Sequence, residues 1–146
     1  MSLDDDPKSI LKVVPNLSEL LAEKLRVHIM LAFKGEEPDF SDQQLYYFLG
    51  YTTAYSDILA QHAGGESGGS VAISITVTAL QNLFGNEAGQ RFFSVVERCM
   101  SSSERPTEFN DGLTGGAEDA IEWVNEKQSI GIGKNFVSFF RIVEGT

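Results

Sequence analysis

Residues 70–84 read Ser-Val-Ala-Ile-Ser-Ile-Thr-Val-Thr-Ala-Leu-Gln-Asn-Leu-Phe, and the stretch fits two periodicities. Val71, Ile73, Ile75 and Val77 alternate as the faces of a strand would, whereas Ile73, Val77, Leu80 and Phe84 follow one face of a helix. Length decides between them, because the run exceeds the roughly five or six residues of an ordinary strand. It therefore predicts a helix, and with it an all-α single domain of five or six helices. A strand at 71–77, or at 136–143, would instead make the chain a small α+β domain.

Working outward, Gly85 ends this helix and Asn86 caps the next, which carries Phe92, Phe93, Val96, Cys99 and Met100. On the other side, Gly64-Gly65-Glu66-Ser67-Gly68-Gly69 predicts an exposed, flexible connection. Before it lies the clearest helix start in the chain. Ser41 and Gln44 have capping-box spacing, and Phe40 and Leu45 stand where a hydrophobic staple needs them. Leu45, Phe48, Leu49, Thr52, Tyr55 and Leu59 then follow one face.

Near the N-terminus, Asp6-Pro7 opens a short helix that Pro15 stops, and Asn16 with Glu19 caps a second that runs to Lys34 and Gly35. Ser101–Gly116 predicts a long loop, because Pro106, Asn110, Asp111, Gly112, Gly115 and Gly116 all disfavour helix. A helix follows from Ala117 to about Lys127, then a turn at Gly131–Gly133 and a last helix through Phe136, Phe139, Phe140 and Val143. Residues 1–6 form a flexible acidic N-terminus and 7–146 the single helical domain. The expected core holds Leu21, Leu25, Phe48, Leu59, Val77, Leu80, Phe92, Val96, Ile121, Phe136 and Phe140.

Composition bounds the function. A chain of 146 residues with 42% hydrophobic and 22% charged residues has enough apolar content for one core. Twenty-one acidic against eleven basic residues give a net charge of −10, which opposes phosphate backbones and anionic lipid. Neither nucleic acid nor membrane is an expected partner, and no apolar run reaches the roughly 18 residues of a spanning helix. The single Cys99 sits among apolar neighbours and reads as a buried reduced thiol. Together with the acidic N-terminus, that points to the cytoplasm.

Short motifs give little chemistry. Gly65-Glu66-Ser67-Gly68-Gly69 matches G-x-S-x-G and resembles the Gly-Asp-Ser-Gly-Gly of chymotrypsin-like proteases, with Glu in place of Asp. Both histidines, His28 and His62, precede the serine, however, and the motif lacks a strand-to-helix elbow. Gly131-Ile132-Gly133-Lys134-Asn135 resembles a phosphate loop with Gln128 and Asn135 at two positions that demand other residues. An EF-hand loop over 111–122 fails at Leu113 and Gly115, where oxygen ligands are required.

Glu118 and Glu122 fall at i and i+4 on one helix face with Asp119 beside them, a spacing suited to a hard cation such as magnesium. The run is similar to the first half of the E-E-x-x-E motif of all-α MazG-like nucleotide pyrophosphatases. That resemblance implies a metal-dependent hydrolase, but the family's second carboxylate pair is missing, with Glu144 the only later acid. Helix-dipole stabilisation explains Glu118 and Asp119 without metal. Two histidines without a cysteine cluster make no zinc site, and His28 reads as a core residue. No cofactor is expected.

The feature weighted most is that Tyr46, Tyr47, Tyr51 and Tyr55 all fall on one helix, inside a stretch from Lys34 to Arg91 that has no Lys or Arg. Tyr47, Tyr51 and Tyr55 drift along the margin of the apolar face, where a ring stays dry and a hydroxyl wet. With Glu36, Glu37, Asp39, Asp42 and Asp57 they predict an acidic, tyrosine-bearing face for a basic protein partner. The expected function is a non-catalytic binding module of the bacterial immunity-protein, antitoxin or chaperone kind, whose partner is a basic toxin or effector. A small helical hydrolase using Glu118, Asp119 and Glu122 is the rival from another class. A homodimer joined through the tyrosine helix is the third reading.

Overall fold

The computed structural model describes residues 3–125 and 133–141. Among them are six α-helices, one 3-10 turn at Leu3–Asp5 and no strand. The helices are α1 (Pro7–Ala32), α2 (Asp42–His62), α3 (Ser70–Phe84), α4 (Asn86–Ser101), α5 (Thr107–Val124) and α6 (Lys134–Phe140). The all-α expectation holds, and 70–84 is helical throughout. Lys127, Gly131, Ile132 and Val143, on which parts of the C-terminal reading fell, lie outside the described residues.

Two boundaries differ from expectation. Helix α1 is one element of 26 residues, because Pro15 is accommodated rather than obeyed. Proline removes the donor that would meet the Leu11 carbonyl, but Leu11 is 76% exposed and Pro15 is exposed as well, so water can reach that carbonyl. The face carrying Val14, Leu21, Leu25 and Ile29 is buried, and that burial outweighs the local penalty of about 3 kcal/mol. Helix α5 likewise begins at Thr107, ten positions before the expected Ala117, and runs through Gly112, Gly115 and Gly116.

Those glycines serve the packing of α5 on α2. A Cβ at Gly112 would collide with the Tyr47 carbonyl, one at Gly116 with the Tyr51 carbonyl, and one at Gly50 with the Phe109 carbonyl. The two helices thus meet backbone to backbone, and the intrinsic cost of glycine in a helix, about 1 kcal/mol each, is offset by contact that no larger residue permits. Helix α2 is covered on several sides, and its buried residues include Tyr47, Phe48, Leu49, Tyr51, Tyr55 and Leu59. The capping box at its start is present as read: Gln44 N–H donates to Ser41 Oγ at 3.1 Å, and Ser41 N–H to Gln44 Oε1 at 2.9 Å. Thr52 and Ser56 satisfy their buried hydroxyls on the carbonyls four residues back.

Helix α3 packs between α1 and α2 and pairs with α4 across the Gly85 turn. Its buried face is Val71, Ala72, Ile75, Thr76, Ala79 and Leu80, rotated from the predicted stripe. Ile73 is consequently 49% exposed and Val77 half-buried. Phe92 and Phe140 are also half-buried, and Ile121, placed in the core by its periodicity, is 45% exposed. Leu21, Leu25, Phe48, Leu59, Leu80, Val96 and Phe136 are buried as expected. None of the described helices is long and apolar enough to cross a membrane.

Candidate functional site

The tyrosine face does not form. Tyr47, Tyr51 and Tyr55 are 3%, 0% and 1% exposed, and only Tyr46 is half-buried. The margin of a helix is a wet position only when the helix lies at the surface, and α2 lies at the centre. Tyr47 stacks on Phe139 with ring centroids 3.8 Å apart and donates to the Asn135 carbonyl at 3.2 Å. Burial raises the pKa of all three phenols, with the Asp119 carboxyl a further cause. The acidic residues assigned to the same face also separate. Glu36, Glu37, Asp39 and Asp42 are exposed around the start of α2, whereas Asp57 lies four turns further along, about 22 Å away.

What the tyrosines build is a buried polar clasp. Asp119 is 0% exposed and accepts from the Tyr51 hydroxyl at 2.7 Å. It also accepts from the Asn135 amide side chain at 2.8 Å and from the backbone N–H groups of Asn135 and Phe136 at 3.2 and 3.3 Å. The carboxyl thereby caps the start of α6 from another helix. Beside it, buried His28 donates from Nδ1 to the Lys24 carbonyl at 2.7 Å and accepts the Gly133 N–H on Nε2 at 2.9 Å. Burial pulls its pKa down to about 4, so the ring is neutral near pH 7 and both bonds are kept.

The clasp encloses one of the three hydrolase residues, and the other two make contacts at its solvent side. Asp119 is enclosed, Glu118 accepts from Asn135 Nδ2 at 3.1 Å, and Glu122 pairs with Lys134 at 2.7 Å. Among the described residues no three His, Cys, Asp or Glu side chains gather as metal ligands. Asp119 in particular points inward to four donors, the reverse of what the metal alternative required.

The glycine-rich segment 64–69 is fixed by two carboxylates, where free connection was expected. Asp4 accepts from the N–H groups of Glu66 and Val71 at 2.6 and 2.9 Å and from the Ser70 hydroxyl at 3.0 Å. These bonds hold its pKa below the usual aspartate value. Residues 3–6 are thus tied to the start of α3, and Leu3 N–H also reaches the Gly64 carbonyl. Asp57 accepts from Gly68 N–H at 2.6 Å and from the Ser67 hydroxyl at 2.8 Å. Ser67, the serine of the hydrolase-like motif, therefore donates to a carboxylate in a turn and has no strand-to-helix elbow beneath it.

Asp57 also opens onto unfilled space between helices. Helices α3 and α4 touch closely near their turn, where a Cβ on Gly89 would come within 2.6 Å of Gln81 Cα. Toward their other ends they leave a groove of about 260 Å³. Ala72, Ile73 and Thr76 of α3 form one wall and Phe93, Val96, Glu97 and Met100 of α4 the other. Thr53 and Asp57 of α2 contribute the floor, with Gly68 at one end. Two large apolar side chains are left half in solvent here, Ile73 at 49% and Met100 at 48%. Asp57 and Glu97 supply carboxylates, and the lining contains no Lys or Arg.

Of this lining, only Asp57 is assigned to a binding face by the sequence. Two signals were available. Helix α3 is apolar on more than one side and carries no charged residue, so a second face needs covering. Helix α4 has doublets at Phe92-Phe93, Val95-Val96 and Cys99-Met100, which widen its apolar face beyond what one neighbouring helix can cover. Compared with protein-family models, with curated proteins and with solved structures, the chain matches none.

Proposed function

We propose that this protein is a non-catalytic binding module of the cytoplasm that engages a basic protein partner, as an inhibitor, immunity protein or chaperone would. The observation that carries this reading is the groove between α3 and α4, whose lining joins exposed apolar side chains to a carboxylate on the floor and one on a wall and includes no Lys or Arg, with Arg105 approaching only at the Met100 end. Contiguous apolar surface with a polar rim is the usual mark of a protein contact. The net charge of −10 adds long-range attraction for a positively charged partner and speeds encounter. The mechanism is steric: charge steers the partner in, and occupation blocks whatever surface it contributes. The contact residues in this reading are those of the groove, with Asp57 kept from the sequence-based set and the buried tyrosines released from it.

The test is affinity capture followed by reconstitution with the purified captured protein. Binding should weaken between low and moderate salt, and Glu97→Lys should weaken it further at fixed salt. Capture confined to acidic or neutral proteins, or a reconstituted affinity indifferent to both salt and Glu97→Lys, removes the reading.

A further inference from the structure

We infer that the groove between α3 and α4 receives a helical segment of the partner, one that presents a single bulky apolar side chain flanked by Lys or Arg. This rests on the protein-binding reading above and specifies its contact. Size comes first. A volume of about 260 Å³ lies just below the roughly 300–1,000 Å³ of small-molecule pockets, and it suits one or two side chains inserted from outside. The chemistry of the walls fits that use, because Ala72, Ile73, Phe93, Val96 and Met100 offer contact without direction.

Mode of binding follows from what the site lacks and has. A partner strand needs a sheet edge, and the described residues contain no sheet. A polyproline segment needs an aromatic-lined groove, and Phe93 is the one ring in the lining. A phosphorylated segment needs an arginine cluster, which the lining does not hold. Among the recurring modes, a helix laid between helices asks for an apolar groove that takes anchors from one of its faces, and this groove has room for one such anchor and part of a second.

Charge fixes the flanks. Asp57 is bonded to neutral donors, the Gly68 N–H and the Ser67 and Gln61 side chains, so these contacts leave its charge uncancelled. Glu97 faces the groove from the opposite wall. Arg105 approaches the site at Met100, with Nη1 3.9 Å from Sδ. The partner's cation therefore belongs between Asp57 and Glu97, away from the Met100 end.

The probe is a fluorescein-labelled synthetic helical peptide with leucines along one face and lysines beside them, titrated into the intact protein and followed by anisotropy. Companion peptides replace the central leucine by alanine or the lysines by glutamate. The expected result is saturable binding that falls about tenfold with the alanine peptide and with Ile73→Ser or Met100→Gln. Binding of the glutamate peptide should be lost, and Val27→Ser on the far helix α1 should change nothing. If the lysine peptide binds Ile73→Ser and Met100→Gln as tightly as the native chain, the groove is not its site and the proposal falls, and the capture experiment alone then decides the broader reading. If neither lysine peptide binds the native chain, the helical-occupant proposal falls, and the capture experiment alone decides the broader reading. Equal binding of the glutamate peptide overturns the charge assignment and the proposal with it.

Discussion

Two helix pairs in this molecule begin from the same device and end differently. In α2 and α5, glycines recur along the contact, at Gly50 on one helix and Gly112 and Gly116 on the other, so the backbones stay in touch across successive turns. In α3 and α4 a single glycine, Gly89, permits close approach near the turn. Beyond it Phe92 packs on Phe84, and further along Phe93 and Val96 face the open groove. The distribution of small residues along a pair, rather than their number, decides whether it closes into core or opens into a site. The closed pair excludes side chains from its seam, whereas the open pair leaves Ile73 and Met100 half in solvent.

The sharpest way to break that contrast is Gly112→Ala. Helix propensity alone would favour alanine by about 1 kcal/mol. Here the added methyl meets the Tyr47 carbonyl, which is backbone and cannot turn aside, so a net loss of about 3 kcal/mol is expected in urea unfolding. A neutral or stabilising result would mean that α2 and α5 do not pack as described. Next in size is pH. His28 has a pKa of about 4 in the folded chain against 6.5 when free, so the unfolded chain takes up its proton first as pH falls. Stability due to the neutral ring is complete above pH 6.5 and is lost progressively as pH drops toward 4, by about 3 kcal/mol in total. His28→Gln keeps a donor and an acceptor without titrating, and its unfolding free energy should be flatter across that window.

These two sites also show how far the sequence could be read. The capping box at Ser41 and Gln44 was legible because its donors and acceptors are three residues apart and need no tertiary partner. The start of α5 was not, because Gly112 and Gly116 are poor helix formers alone and acceptable only against α2. Pro15 misled for a related reason: its penalty is local, whereas the burial of Leu21 and Leu25 that overrides it is not. The absence of Lys and Arg between Lys34 and Arg91 was read as an acidic surface. Part of it falls on α2, which is largely buried, and long cations are almost never fully buried; Glu36, Glu37, Asp39 and Asp42 are exposed around the start of that helix.

The tyrosines test that revised reading. Tyr51→Phe leaves buried Asp119 short of its 2.7 Å donor, and a loss of about 2 kcal/mol is expected from thermal or chemical unfolding. Tyr55 makes the control within the same helix. Its hydroxyl is enclosed with no hydrogen-bond partner among the described residues, so Tyr55→Phe should be neutral or slightly stabilising. Equal losses from both would show that ring packing, not the clasp, sets the cost. On the other helix pair, Gly89→Ala should cost about 1 kcal/mol, less than Gly112→Ala. The clash with Gln81 is similar in kind, but among the described residues α4 packs mainly on α3 and can swing outward to relieve it.

The smallest effect is expected where the comparison matters most. Ile73 stands half in water on the wall of the groove, and replacing it by serine removes apolar surface that the folded chain leaves largely unburied. The unfolding free energy should therefore change by less than about 0.5 kcal/mol, measured beside Met100→Gln, for which the same reasoning holds. A core residue of equal size, truncated in the same way, would cost about 2–5 kcal/mol. A loss in that range at Ile73 would mean that α3 and α4 close over it in solution, and the groove would then belong with the α2–α5 seam as part of the core. A loss near zero leaves Ile73 and Met100 as aliphatic surface that folding does not require, and the groove then stays open in the folded chain.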